Sequence, residues 1–310
     1  MRIVFMGTPE FAVPPLEGLI RQRYQIVAVY TQPDKSAGRS RIPIASPVKT
    51  AALSHNLPVE QPLSLKSSET VAKLASFQPE VIVVAAYGQI LPQAVLDIPE
   101  HGCINIHPSL LPGHRGPSPV ATTILAGDEV TGVTIMLMDR GMDTGPIIAQ
   151  EKVAVSPQDT TGSLTMKLSQ VSARLLPDVL KSWVKGGLTP QPQNHAEATY
   201  SRLIAKTDGE IDWHLPAVAL GRRVRAFQPW PGAYTRWQGR KLEVIEAVPL
   251  PGKTGAGQVV AWEQKEAAFG VGTGEGILGI VKLQLEGKRE MTAAEFLRGQ
   301  REFMGSILPS

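Results

Sequence analysis

The sequence predicts an α/β domain built on a parallel sheet, followed by a small antiparallel β domain. In the first half, short apolar runs alternate with helical patterns, which is typical of parallel strands covered by helices on both faces. Beyond residue 208, short runs of alternating polarity are separated by glycine and proline turns, which indicates a small barrel or sandwich. A chain of 310 residues suits two domains. We expect a first domain over 1–189, a linker over 190–207 and a second domain over 208–310.

The first domain has five apolar runs that we predict to be strands. They read "RIVFM", "QIVAVYT", "VIVVAAY", "CINIH" and "GVTIMLM" in chain order. One helix is predicted to start at Pro9 and a last one to run from about Thr160 to Lys185. Between them, Ser46 and Pro47 suit the N-cap and the first turn of another helix. The Gly/Pro/Gln-rich segment after the last helix is typical of a linker.

The second domain has four runs that we predict to be strands. They read "AYTRW", "KLEVIEA", "GQVVAWE" and "GILGIVKLQL". Near the end of the chain, Thr292 and Glu295 have the spacing of a capping box, which predicts one short helix.

Composition excludes several classes of protein. No apolar run is long enough for a membrane span or a signal-peptide core, so we expect a cytoplasmic protein without a membrane partner. The only cysteine, Cys103, rules out an internal disulfide and a multi-cysteine zinc site. The histidines show no metal-ligand spacing with nearby carboxylates, so no metal is expected. The turn "MGTPEF" lacks the second glycine of a dinucleotide fingerprint, which disfavours a nicotinamide or nucleotide cofactor.

Polar side chains at the end of the predicted strand "CINIH" are the first candidates for chemistry. The period of two puts Asn105 and His107 side by side, and Pro108 then ends the strand. Ligands of parallel sheets bind at the carboxyl ends of strands. An Asn amide can donate to an oxygen that becomes negative, and a neighbouring His can carry a proton, which suits acyl transfer. Asp143, between Gly141 and Gly145, is placed to orient His107 and favour its protonated form.

Two other interpretations of these residues stay open from spacing alone. Asn105 and Asp143 can serve as turn residues, with His107 a satisfied residue at a strand end. Cys103 and His107 can be considered as a nucleophile pair, although a buried free cysteine is more often inert packing.

Basic residues are concentrated in two segments. The long loop between Asp34 and Lys49 carries Lys35, Arg39 and Arg41, and loops of this length are more often functional than filler. The stretch from Trp213 to Leu242 contains no Asp or Glu. Its arginines can neutralise phosphates and its aromatic side chains can stack on exposed bases. The alternatives are a solvated surface loop and aromatic side chains that fill a small barrel.

The segments "NIHPSLLPGHRG" and "DTGPI" resemble the signature of the folate-dependent formyltransferases. Within that family, "FMGTPEFAVPPL", "TQPDKSAGRSRIPIASPVK" and "FQPWPGAYT" are similar to the members that act on an aminoacyl-tRNA. The resemblance implies a Rossmann-like formyltransferase domain followed by an OB-like barrel. It also implies that Asn105, His107 and Asp143 are catalytic. The folate pocket is then expected at Tyr87, Gly88, Ile90, Leu91, Ser109, Leu110, Leu111 and Pro112.

The same resemblance implies both substrates. The expected donor is 10-formyltetrahydrofolate and the expected acceptor is the amino group of methionyl-initiator tRNA, so the protein is a one-carbon group transferase of translation initiation. By this resemblance, the loop around Arg39 tests the terminal base pair of the acceptor stem. The residues expected to contact tRNA are Lys35, Arg39, Arg41, Lys206, Arg222, Arg223 and Arg225. We expect a monomer.

Three alternatives remain at this point. The first is a formyltransferase that acts on a small amine such as a UDP-amino sugar, for which the basic loop and second domain have no evident use. The second is an RNA-binding protein with a degenerate enzyme domain, and the third is a hydrolase of formylfolate.

Overall fold

The computed structural model describes residues 1–36, 43–262 and 267–310 of the chain. These residues divide into two compact units. The first unit comprises Met1–Pro119, Val130–Ala154 and Thr165–Ser201, and the second comprises Val120–Glu129, Val155–Leu164 and Arg202–Ser310. Residues 190–201, for which the sequence predicts a linker, therefore lie in the first unit.

The first unit is built on a seven-stranded sheet with the strand order β5-β2-β1-β6-β7-β8-β9. Its strands are β1 (Arg2–Gly7), β2 (Gln25–Tyr30), β5 (Val59–Glu60), β6 (Val81–Ala85), β7 (Cys103–His107), β8 (Val130–Leu137) and β9 (Ile147–Ala154), while β3 (Lys35–Ser36) and β4 (Pro43–Ile44) form a separate pair. All five residues of β6 are buried, as expected for a strand covered on both faces.

Six α-helices connect the strands or follow them in the described chain up to residue 184. They are α1 (Val13–Arg21), preceded by a 3-10 turn at Glu10–Ala12, α2 (Pro47–Ser54), α3 (Ser68–Ser76), α4 (Gln93–Leu96), α5 (Pro119–Ala126) and α6 (Thr161–Val184). The Ser46 hydroxyl accepts a hydrogen bond from the Lys49 N–H, which confirms the predicted cap of α2. In the described part of the chain, no helix combines the length and apolarity that crossing a membrane requires.

The predicted parallel sheet is confirmed for five strands, but the sheet is mixed, because the predicted strand "GVTIMLM" runs antiparallel to its neighbour. Strands β5, β2, β1, β6 and β7 are parallel, but β8 pairs with β7 in the antiparallel sense, and so does β9 with β8. His107 lies opposite Thr134, and Ile104 lies opposite Leu137. An apolar run shows that a strand is buried but not which way it runs, and β9, which alternates in burial, was not predicted.

The second unit is an antiparallel, barrel-like sheet with the order β10-β11-β14-β13-β12, with β15 added to β14. A core of buried apolar side chains from the strands and two helices fills it. The elements are α7 (Ala217–Ala226), β10 (Ala233–Trp237), β11 (Arg240–Leu250), β12 (Val259–Ala261), β13 (Phe269–Gly272), β14 (Ile277–Leu285), β15 (Met291–Thr292) and α8 (Ala293–Gly299). Thr292 and Glu295 form the predicted capping box of α8.

Candidate active site

Asn105 and His107 lie in the carboxyl-terminal half of β7, as the sequence predicts. The side chain of His107 is almost fully buried, whereas Asn105 is half-buried. One amide hydrogen of Asn105 points to Oδ1 of Asp143, at an N···O distance of 3.4 Å. A side-chain amide has two hydrogens to donate, so the other is available to an incoming oxygen.

Asp143 reaches these residues from the loop between β8 and β9. Because β8 is antiparallel to β7, the carboxyl end of β8 lies beside Ile104 and away from His107. The loop therefore has to bring Asp143 back toward His107, and it places the carboxylate oxygen Oδ2 3.6 Å from Nδ1 of the imidazole. Asp143 takes a left-handed backbone conformation, with φ of 54°, which Asp tolerates better than most residues. A Cβ at Gly145 would collide with the carbonyl oxygen of Leu137, so the loop closure requires glycine there.

Both nitrogens of the His107 ring face acceptor oxygens. Nδ1 faces Asp143, and Nε2 lies 3.1 Å from the carbonyl oxygen of His114. Two acceptors suit the imidazolium, in which both nitrogens donate. Burial lowers the pKa of His107, while the Asp143 carboxylate and the His114 carbonyl oppose that shift. Asp143 thus favours the protonated form of His107, as expected, but burial of the ring favours the neutral form and shifts the pKa in the opposite direction.

A cavity of about 150 Å³ opens beside this trio. Asn105 and Asp143 line it, together with Ile90 and Leu91 from the predicted folate-binding segment. Gln89 of the same segment also lines it, and the lining residues that the sequence analysis did not predict are Met136, Met138, Asp139, Arg140, Gly141 and Met142. A second cavity of about 520 Å³ shares the lining residues 138–141 and extends toward α4. Met136 lies in β8 and residues 138–142 in the β8–β9 connection, and the antiparallel direction of β8 brings both to the site.

Other residues predicted to bind folate do not line the two cavities. Tyr87 is fully buried in the apolar core of the unit, and burial raises the pKa of its hydroxyl to about 12. Ser109 is buried and its hydroxyl donates to the Gly113 carbonyl. Leu111 is also buried. Gly88, Leu110 and Pro112 are likewise absent from both linings.

The structure contradicts the interpretation of Cys103 and His107 as a nucleophile pair. Cys103 is buried, and burial raises the pKa of its thiol to about 12. Because the thiolate is the nucleophilic form, the thiol is inert near neutral pH. Among the described residues, no group of three or more His, Cys, Asp or Glu side chains is arranged to hold a metal ion.

The residues predicted to contact nucleic acid have different surroundings. In the first unit, Lys35 is exposed on β3, whereas Arg39 and Arg41 lie outside the described residues. In the second unit, Lys206 is exposed at the start of a 3-10 turn. The three arginines of α7 each donate to a backbone carbonyl: Arg222 to Ala126, Arg223 to Asp208 and Arg225 to Asp159.

Arg222 and Arg225 border a cavity of about 600 Å³ in the second unit. Lys282 of β14, which the sequence reasoning missed, lines the same cavity opposite Glu246. The aromatic side chains of this region fall into two groups, some that fill the barrel core and some that are free to stack on a base. Phe227 and Trp237 are buried, whereas Trp230 is 57% exposed and can stack on a base.

Comparison with known proteins agrees with this two-part chain. The family model described as formyl transferase matches residues 1–180, and the model of the formyl transferase C-terminal domain matches residues 203–301. The methionyl-tRNA formyltransferase of Roseiflexus sp. (strain RS-1) is 49% identical over 304 residues, which cover 97% of this chain and 93% of that protein. The methionyl-tRNA formyltransferase of Dehalococcoides mccartyi (strain ATCC BAA-2266 / KCTC 15142 / 195) is 49% identical over 309 residues, covering 98% and 97% of the two chains.

Solved structures share the fold at lower identity. WlaRD, a sugar 3N-formyl transferase crystallised in the presence of dTDP and 5-N-formyl-THF, superposes with a TM-score of 0.66 at 19% identity, over 93% of this chain and 99% of that one. HypX from Aquifex aeolicus, in complex with tetrahydrofolic acid, has a TM-score of 0.62 at 19% identity over 97% of this chain and 47% of that one. Both parts of the chain match the family models, and half of its residues are identical to those of full-length relatives, so the protein belongs to the formyl transferase family, on the branch of the methionyl-tRNA formyltransferases.

Proposed function

We propose that this protein transfers the formyl group of 10-formyltetrahydrofolate to the free amino group of methionyl-initiator tRNA. The observation that carries the proposal is the meeting of Asn105, His107 and Asp143 beside a cavity, in a chain that is 49% identical to methionyl-tRNA formyltransferases. A cytoplasmic location follows from a role in translation initiation.

The geometry suits nucleophilic attack on a formyl carbon. The amine nitrogen forms a bond to that carbon, and the electron pair of the C=O bond moves to its oxygen. The second amide hydrogen of Asn105 and the protonated ring of His107 stabilise the negative oxygen. When the bond from carbon to N10 of the folate breaks, N10 takes up a proton that the amine has lost. Asp143 orients His107 and assists this proton movement.

We assign the two cavities to the ring system of the folate donor. At the smaller one, Ile90 is 84% and Met142 61% exposed, and apolar side chains at a cavity mouth gain burial when a flat ring covers them. Asp139 and Arg140 border both cavities, so polar groups are available for the edge of the ring. We infer that these four residues and Leu91 hold the donor next to Asn105.

The acceptor is inferred from the basic residues. An amino acid alone has no use for the arginines of α7, Lys282 or the Arg39 loop, whereas a tRNA offers phosphates to all of them. In this proposal the second unit binds the tRNA backbone, and Arg39 examines the end of the acceptor stem.

The test is formyl transfer from 10-formyltetrahydrofolate to three acceptors in parallel: methionine-charged initiator tRNA, methionine-charged elongator tRNA and a UDP-amino sugar. Selective transfer to the initiator supports the proposal. Transfer to the sugar alone would keep the roles of the trio and overturn the proposed acceptor. Release of formate without an acceptor would indicate a hydrolase.

A further inference from the structure

The segment 191–201, which we call the strap, runs beside two loops of the active site. Its residue Gln191 exchanges two backbone hydrogen bonds with Ile147 at the start of β9, both of 2.8 Å. At its other end, the Arg115 N–H donates to the Thr199 carbonyl, and the Ser201 N–H donates to the Arg115 carbonyl. All of these residues belong to the first unit. The strap is therefore tied to the Asp143 loop on one side and to residues 114–116 on the other.

Gln193 joins the two loops through its side chain. The side chain is buried, and its amide nitrogen donates to the backbone carbonyls of Asp143 (2.9 Å) and Gly145 (2.7 Å). Its amide oxygen accepts from Nε (3.1 Å) and Nη2 (2.6 Å) of Arg115. Two donors and two acceptor sites are all that an amide has, so every hydrogen-bonding position of Gln193 is used.

Arg115 is fully buried, and the residues next to it touch the catalytic side chains. The carbonyl of His114 meets Nε2 of His107, and the N–H of Gly116 donates to Oδ2 of Asp143 at 2.8 Å. Besides Gln193, the guanidinium contacts His195 Nδ1 at 3.2 Å and the Tyr200 hydroxyl at 3.5 Å. In the part of the chain that the structure describes, no carboxylate forms an ion pair with Arg115. A buried cation with these partners depends strongly on the amide oxygen of Gln193.

We propose that Gln193 and Arg115 are positioning residues for formyl transfer: they clamp the backbone of the Asp143 loop against residues 114–116 and so fix the Asp143 carboxylate opposite His107. The loop needs such a clamp because Asp143 has a left-handed φ and lies between two glycines. From within the loop, Asp139 binds the Gly141 N–H and the Thr144 hydroxyl, but neither bond reaches Asp143 or Gly145. This inference rests on the proposed function, since it assigns a role relative to the same trio.

Two substitutions distinguish positioning of the Asp143 loop by Gln193 from a role in which Gln193 only satisfies the buried guanidinium of Arg115. Gln193→Glu keeps the size of the side chain and still accepts from Arg115, now as an ion pair, but loses both donors to the loop. Gln193→Met loses the contacts to Arg115 and to the loop together. Gln191→Met is the matched control, because the side chain of Gln191 is exposed and donates to the backbone carbonyl of Thr189, two residues before it, and not to the Asp143 loop or Arg115.

The expected result is that Gln193→Glu folds with a melting temperature near that of the wild type, while its kcat falls by about 10- to 100-fold with little change in KM for tRNA. Gln193→Met should lose at least as much kcat, and Gln191→Met should match the wild type. Wild-type kcat in Gln193→Glu would show that the amide only satisfies Arg115, and it would overturn the proposal.

A second measurement does not depend on activity. The pKa of His107 is followed by NMR of histidine-labelled wild type, Gln193→Met and Gln191→Met. Of the ionisable groups that face His107, Asp143 raises its pKa and His114 lowers it. If the clamp is lost and Asp143 moves away, the pKa of His107 falls in Gln193→Met only; an unchanged value would contradict the clamp. This titration remains informative if wild-type protein fails to formylate tRNA, so failure of the proposed function can be told apart from failure of the clamp.

Discussion

The Asp143 carboxylate lies 3.6 Å from Nδ1 of His107, although the strands that lead to these two residues run in opposite directions. The contact depends on a loop that turns back beside β7, on the Gly116 N–H that binds the carboxylate, and on glycine at position 145. The geometry of the proposed catalytic residues is therefore a property of the β8–β9 loop as much as of the strand that carries His107.

Loss of the Asn105 amide should affect turnover and leave tRNA binding intact. Asn105→Ala removes a donor that we expect to act on the negative oxygen of the transition state, so kcat should fall by about 10²- to 10³-fold. The measurements are single-turnover formyl transfer and the Kd for charged tRNA. A wild-type rate in this variant would remove Asn105 from the mechanism.

Removal of the Asp143 charge should shift the pH dependence of the reaction. Asp143→Asn keeps a side chain that tolerates left-handed φ but abolishes the interaction that raises the pKa of His107. Burial and the electrostatic effect of His114 both lower the pKa of His107, and in this variant the Asp143 charge no longer opposes them. The pKa therefore drops further, and less imidazolium remains at a given pH. The falling limb of kcat against pH should therefore move to lower pH. A profile that keeps its position would mean that His107 does not act in its protonated form.

The sequence predicted the meeting of Asn105, His107 and Asp143 more completely than the cavity beside them. Period-two alternation and Pro108 were enough to place Asn105 and His107 at a strand end. The folate-binding prediction for Tyr87 and for residues 109–112 came from the family resemblance, which assigns whole segments and not the direction of each side chain, and Tyr87 and Leu111 are buried. Met136, Met138 and Arg140 join the site through the antiparallel pairing of β8, and no local pattern encodes the direction of a buried strand.

The strap is a second segment whose role could not be predicted from local sequence. Its Gly/Pro/Gln-rich composition indicated a linker. Composition shows that a segment has no apolar periodicity, but it does not show which backbone groups of the fold the segment will contact. Gln193 is buried only because Asp143, Gly145 and Arg115 supply all its hydrogen-bond partners, and these lie 48 or more residues away in sequence. Local reasoning cannot find contacts of that range.

Arg39 should contribute to the choice between tRNAs more than to turnover. Arg39→Ala is expected to reduce the preference for charged initiator over charged elongator tRNA, because we expect this residue to test the end of the acceptor stem. The ratio of kcat/KM for the two tRNAs measures the effect, with Lys35→Ala as a control for the general charge of the loop. An unchanged ratio in Arg39→Ala would contradict a reading role.

Lys282 gives the cleanest test of phosphate binding by the second unit. Charge reversal of Arg222, Arg223 or Arg225 should weaken all tRNAs and flatten the salt dependence, but it also removes a hydrogen bond to a backbone carbonyl. Lys282 is exposed, so Lys282→Ala should weaken initiator and elongator tRNA alike and reduce the slope of log Kd against log salt by about one. Lys288→Ala, another exposed lysine that does not line the cavity, is the control. Equal slopes for both variants would exclude Lys282 from the phosphate contacts.

Asp208 should make the stability of the second unit depend on pH in the acid range. Its carboxylate binds both Nη atoms of Arg202 at 2.6 Å and the Ala205 N–H, and these bonds lower its pKa to about 2. A carboxyl whose pKa is depressed on folding contributes stability above its unfolded pKa and loses that contribution as pH falls toward the folded value. Because Arg202 is two-thirds exposed, solvent screens the pair, and Asp208→Asn should cost about 1 kcal/mol at pH 7.

Urea unfolding followed by tryptophan fluorescence reports mainly on this unit, which holds Trp213, Trp230, Trp237 and Trp262 of the five tryptophans. The difference between variant and wild type should shrink as the pH is lowered toward 2; a difference independent of pH would mean that the Asn substitution acts through packing and not through the ion pair.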